Sequence, residues 1–169
     1  MTDPFHTEKS GGIVGRRSNT VLKDVEEINM KELSVILPNQ LFEDISILNK
    51  KFPIYLIEEF LFFKNYNFHK QKLVFHRSSM KCYEKYLIKN GYTVSYIESK
   101  NELSDIRYFI NNIDKQINNI HIIEPNDYLI EKRLVRECNK KNIKLNIYNS
   151  PALISSKDDL KIFFNEDKV

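Results

Sequence analysis

The sequence predicts one α/β domain, a Rossmann-like five-stranded parallel sheet with helices on both faces, and three observations predict it. Short apolar runs recur along the chain: LSVIL (33–37), IYLI (54–57), TVSYI (93–97), NIHII (119–123) and IKLNIY (143–148). The segments between most of them carry a helical period over roughly 12 to 22 residues, and strands alternating with such helices read as parallel βαβ units. A chain of 169 residues suffices for one substantial core and is too short for two ordinary domains.

Taken in order, residues 1–32 are polar, hold Gly11, Gly12 and Gly15 beside the basic pair Arg16 and Arg17, and read as a flexible extension. Met30 stands just before the first core-like run. The strand at 33–37 is ended by Pro38, after which a turn and the amphipathic stretch FEDISILNKK lead to the strand at 54–57.

The longest helix is predicted over Phe68–Asn90. Steps of three and four from His69 reach Lys72, His76, Met80, Tyr83 and Leu87, one stripe of a 3.6-residue period, while Phe68, Phe75 and Cys82 make an adjacent strip that widens the expected buried side. Gly91 is the expected stop, because glycine adopts the left-handed conformation that ends helices. After the third strand, ELSDIRYFINNIDKQI is predicted to be a long helix entered through Ser99 with Glu102 three residues on, a capping-box spacing. A further helix is expected from about Tyr128 to Lys141. Residues 33–150 thus form the domain, and 151–169 a linker and short helix, capped by Ser156 with Asp159, whose LKIFF is expected to pack on something outside the chain.

Composition narrows the function. Hydrophobic residues at 41% and charged residues at 29% describe a soluble protein. No run approaches the roughly 20 apolar residues of a membrane span. The N-terminal residues lack the apolar core of a signal peptide, so an intracellular location is expected. A net charge of +3 is too small to imply nucleic-acid binding by itself. Cys82 and Cys138 form no C-x-x-C pair and read as buried thiols; two thiols cannot hold a four-cysteine iron–sulfur cluster.

Ligands of open α/β sheets bind beyond the carboxyl ends of the strands. Those ends supply Asn39, Gln40 and Leu41, then Glu58 and Glu59, then Ser99, then Glu124, Pro125 and Asn126, and the first turns of the long helix add His69, Lys72 and His76. No G-x-G-x-x-G or G-x-x-x-x-G-K-[ST] occurs, which disfavours dinucleotide binding and P-loop chemistry. Amides and carboxylates suit a neutral heteroaromatic or polyhydroxylated ligand. Each group also has a plain structural reading. Asn39 and Gln40 can cap a following helix, Glu58 and Glu59 can be solvated, Glu124-Pro125 can be a strand-end turn, and His69 and His76, about 10 Å apart at this spacing, are poorly placed to share a metal.

L-P-N-Q-L-F at 37–42, I-E-E-F-L-F-F at 57–63, F-H-K-Q-K-L-V-F-H-R-S-S-M-K-C-Y at 68–83, E-P-N-D at 124–127 and the S-P turn at 150–151 together resemble the N-terminal domain of deoxyribodipyrimidine photolyase-related proteins, the iron–sulfur bacterial cryptochrome and (6-4) photolyase group. The resemblance runs from about residue 33 to 165. It implies a sheet domain that holds a light-harvesting antenna, 6,7-dimethyl-8-ribityllumazine or a similar chromophore, with FAD, the cluster and the DNA lesion in a larger helical C-terminal part. By position it assigns Asn39, Gln40 and Leu41 to the chromophore loop, Glu58 to the acidic strand end, with Glu59 beside it, and His69, Lys72 and His76 to the helix face at the pocket. FAD and the cluster are not expected in this chain, which has no tryptophan for an electron relay. Alone it is not expected to repair DNA; a separately encoded FAD-binding half is the implied partner, and DNA contact is expected only through that half. Two other classes stay open: an interaction module or truncated remnant with no chromophore, and a small enzyme using Glu58 or His69 as acid or base.

Overall fold

The computed structural model describes residues 31–155 and 157–164. The extension before Lys31 and the cap expected at Ser156 lie outside the described residues. Five strands, β1 (Glu32–Ile36), β2 (Ile54–Ile57), β3 (Val94–Ile97), β4 (Asn119–Ile123) and β5 (Lys144–Tyr148), pair all-parallel in the order β3-β2-β1-β4-β5. The chain starts in the middle, steps outward through β2 and β3, and returns to the other side of β1. Its topological switch point therefore lies between β1 and β4.

Side chains alternate across the central strand as the pleat requires. Leu33, Val35 and Leu37 enter one core with Ile57, Ile120 and Ile122, covered by helices α3 (Ile106–Asn112) and α4 (Tyr128–Lys141). Ile36 enters the other, with Ile54, Leu56 and Ile123, covered by α2 (Lys70–Lys89) through Met80, Tyr83 and Leu87. Helices on both faces, as the sequence predicts, follow from strands that are apolar on both sides. Gly91 sits at φ +84 just past α2, the left-handed stop read from the sequence.

Four expectations are corrected. FEDISILNKK makes no helix; it runs as turns that drop Ile45 and Leu48 into the α2-side core, while the Tyr83 and Tyr86 hydroxyls of α2 donate to the Phe42 and Glu43 carbonyls. The second strip of α2 is not buried: Phe75 is 71% exposed and Cys82 is exposed, because the loop and sheet cover only the Met80–Tyr83–Leu87 stripe. Cys138 alone is the buried thiol. The long helix expected from Ser99 is a single 3₁₀ turn (Glu102–Ser104) capped by Asn101, then the short α3 capped by Asp105, whose carboxylate accepts from the Arg107 N–H at 2.9 Å.

A one-turn helix, α1 (Phe60–Phe63), leads from β2 toward α2, and α5 (Lys157–Phe163) follows the β5 turn. Ile162 and Phe163 are 77% and 80% exposed. No helix among the described residues is long and apolar enough to cross a membrane.

Candidate functional site

At the switch point the loop after β1 is fastened to the end of β4. The Gln40 side-chain oxygen Oε1 accepts the Leu37 N–H at 2.9 Å and its side-chain amide Nε2 donates to the Ile123 carbonyl, while the Asn39 side-chain amide donates to the Pro125 carbonyl. No helix follows for these amides to cap. They close the loop across two parallel strands, Gln40 buried and Asn39 exposed. Leu41 continues into a shallow apolar groove of about 420 Å³ shared with Glu43, Ser79, Cys82, Tyr83 and Tyr86.

At the end of β2 stand two carboxylates with no solvent-exposed surface. Burial excludes the solvated reading. Glu58 accepts from Arg77 Nε at 2.7 Å and Nη2 at 2.5 Å, from the Tyr96 hydroxyl at 2.7 Å, and from the Ser99 N–H at 2.7 Å. Ser99 is thus a donor to Glu58, and its hydroxyl accepts from Arg77 at 3.0 Å, which is why it caps no helix. Burial opposes ionisation of Glu58, but Arg77, Tyr96 and the Ser99 amide outweigh it and hold its carboxyl at about 2. The same bond pushes the Tyr96 phenol up, after burial.

Glu59 meets the opposite treatment. One oxygen caps α1 by accepting the Leu61 N–H at 2.5 Å; the other has no hydrogen-bond partner and lies 3.9 Å from Arg133 Nη1, itself buried and unpartnered. Burial, with the nearby Asp105 charge, pushes this carboxyl up to about 7.

The long helix brings the remaining candidates to the same edge of the sheet. His69 is its N-cap, with Nδ1 accepting the Gln71 N–H at 3.3 Å. Lys72 Nζ sits 3.7 Å above the Phe68 ring centroid. His76 is half-buried among Phe62, Phe63 and Phe75, with ring centroids at 6.5, 6.0 and 6.3 Å, and burial followed by the Lys72 charge lowers its pKa.

The eight residues singled out from the sequence therefore divide. Gln40, Glu58 and Glu59 hold the walls of the edge; Asn39, Leu41, His69, Lys72 and His76 retain accessible surface. Sequence reasoning missed Arg77, Tyr96 and Arg133 as partners of the paired carboxylates. The available signal was that two adjacent glutamates at a strand end need cations, and Arg77 lies on the very helix that follows.

A family model described as deoxyribodipyrimidine photo-lyase-related protein matches residues 34–169. The Uncharacterized protein R852 of Acanthamoeba polyphaga mimivirus is 36% identical over 140 residues, covering 78% of this chain and 70% of that protein.

Proposed function

This chain belongs to the deoxyribodipyrimidine photolyase-related family, and from that premise we propose that it is a chromophore-binding antenna domain which acts with a FAD-binding half encoded elsewhere. The observation that carries the reading is the pairing, at one sheet edge, of an aromatic cluster with accessible polar groups. Phe62, Phe63 and Phe75 surround His76, and at the same carboxyl-end edge of the sheet Asn39 stands exposed on the β1 loop and His69 and Lys72 at the start of α2.

The donor set fits a lumazine. A flat heteroaromatic ring is served by ring faces and edges, and its polar edge and ribityl hydroxyls by an amide, an imidazole and an ammonium. Asn39, His69 and Lys72 would hold the polar parts, and His76 with Leu41 the ring. When bound, the pigment supplies light absorption and excitation transfer to a flavin; the protein's part is to fix its position and surroundings. Gln40 and Glu58 act one step back, keeping the β1 loop and the root of α2 in place.

A second reading, an interaction module without a pigment, is favoured by the apolar surface left uncovered: Val74 and Phe75 on α2 and Ile162, Phe163 and Phe164 at the C-terminal end. One experiment separates the two. The full chain is purified, denatured by heat, and the released material examined by absorption and mass, alongside titration of the native protein with 6,7-dimethyl-8-ribityllumazine. Stoichiometric release, or saturable uptake weakened by Lys72→Ala and Asn39→Ala, supports the antenna. A colourless folded protein that takes up no lumazine overturns it in favour of the interaction module.

A further inference from the structure

The sheet has an open place at its amino edge, on the side that faces α3. The helix expected over residues 102–117 stops at Asn112, and the chain turns through Asp114 to enter β4, so no described helix lies over the amino halves of β2 and β3 there. The result is a cavity of about 370 Å³ walled by Leu33, Tyr55, Leu103, Phe109, Ile113 and Ile117. Asn112 and Asp114 stand exposed at its rim and are spent on their own turns: the Asn112 amide donates to the Tyr108 carbonyl at 2.8 Å, and the Asp114 carboxylate accepts the Gln116 N–H at 2.9 Å. The walls offer apolar contact without a convergent set of polar groups, which suits hydrocarbon side chains better than a polar ligand.

The described residues begin at this same edge. The Lys31 carbonyl accepts the Asn118 N–H at 2.8 Å and the Asn119 N–H at 3.2 Å, which seats Lys31 beside the Ile117 wall, and Leu33, two residues on, is part of the cavity. The sequence that leads in is TVLKDVEEINM (20–30). At about 100° per residue, Val21, Leu22, Val25 and Ile28 fall within about 120° of one another, and Lys23, Asp24, Glu26 and Glu27 take the remaining arc. Three residues separate Ile28 from Lys31, a reach of about 10 Å when extended. We propose that residues 21–28 are the occupant of this cavity, laying their apolar stripe against Leu33, Tyr55, Leu103 and Ile113 and closing the amino edge of the domain. A chain started at Met30 leaves the cavity bare. The contact lies at the opposite end of the strands from the aromatic cluster around His76, so it stands independently of the antenna reading.

The test is NMR of the isotope-labelled full chain. The proposal gives nuclear Overhauser contacts from the Val25 and Ile28 methyl groups to those of Leu103 and Ile113, and amide exchange at residues 21–28 slowed by about tenfold or more against intrinsic rates. Val25→Asp combined with Ile28→Asp removes both signals and leaves the amide protection of the sheet in place. Ser95→Trp, which fills the cavity from β3, removes them from the other side. Absent contacts with exchange at intrinsic rates, or signals that survive the paired aspartates, would overturn the proposal. So would contacts seen only between differently labelled copies, which make a second copy the occupant, or a co-purifying apolar molecule with contacts to Leu103 and Ile113.

Discussion

Arg77→Met isolates the pairing that fixes the root of α2 to the sheet. Methionine keeps an unbranched stem over Phe63, whose centroid lies 6.0 Å from the guanidinium carbon, and removes both bonds to Glu58. Glu58 then keeps only the Tyr96 hydroxyl and the Ser99 N–H. Lowering its pKa from 4.5 to about 2 is worth about 3 kcal/mol at neutral pH. That figure is an upper bound, since Arg77 is 48% exposed and water reaches the pair; allowing for screening leaves about 2 kcal/mol. The sign follows from a depressed carboxyl: its contribution is complete above pH 4.5 and is lost as pH falls toward 2. Urea unfolding followed by far-ultraviolet circular dichroism at pH 7, 5 and 3 should show Arg77→Met destabilised by about 2 kcal/mol at pH 7 and by less than half of that at pH 3. Glu58→Gln in the Arg77→Met background should recover part of the loss, because no buried charge remains. If Arg77→Met lies within about 0.5 kcal/mol of wild type at pH 7 and keeps its acid slope, charge pairing is not what holds Glu58.

Gln40→Leu strips the β1 loop of its bonds to Leu37 and Ile123 and leaves a buried N–H and carbonyl unpartnered, a loss of about 2 kcal/mol readable in the same urea titration. Glu59→Gln should stabilise the fold at pH 8 and leave it unchanged at pH 4, since a raised carboxyl costs stability as pH climbs from 4.5 through about 7. Gly91→Ala costs about 1 kcal/mol in thermal unfolding: nothing lies within 4 Å of an added Cβ, so the whole penalty is the φ of +84. Thiol labelling of the native protein should modify Cys82 within minutes and Cys138 only on unfolding, because burial pushes the Cys138 thiol up to about 11.

Strand positions were legible because a parallel sheet covered on both faces demands near-continuous apolar runs, and NIHII and IYLI could be little else. Helix α4 was legible, its expected span from about Tyr128 to Lys141 agreeing with the observed one, which Asp127 caps and Asn142 at φ 56 ends in the left-handed region. The second strip of α2 was not. Phe68, Phe75 and Cys82 recur every seven residues, a spacing that drifts about 20° per repeat on a straight helix, and whether such a strip is covered depends on how the β1–β2 loop folds. That loop has no regular structure for a periodicity to report.

The misreading at Ser99 shows where local rules yield. Ser99 and Glu102 satisfy the capping-box pattern, yet Asn101 and Asp105 take the caps. The reason lies 41 residues upstream: Glu58 is buried and charged, and the Ser99 N–H is one of its four bonds. A cap is worth about 1 kcal/mol and any of several polar side chains can supply one, whereas a buried carboxylate deprived of a donor loses more than that. The stronger demand fixes Ser99, and the helix starts where the next good caps occur. The same logic explains why the paired glutamates read alike in the sequence and behave oppositely in the fold. Glu58 lies within reach of Arg77 on α2, and Glu59, one residue on, points to the other face, where Arg107 is already committed to Asp105 and Arg133 Nη1 lies 3.9 Å away, beyond hydrogen-bond distance. Adjacent positions at a strand end face opposite layers, so their chemistry is set by whichever helix covers each side.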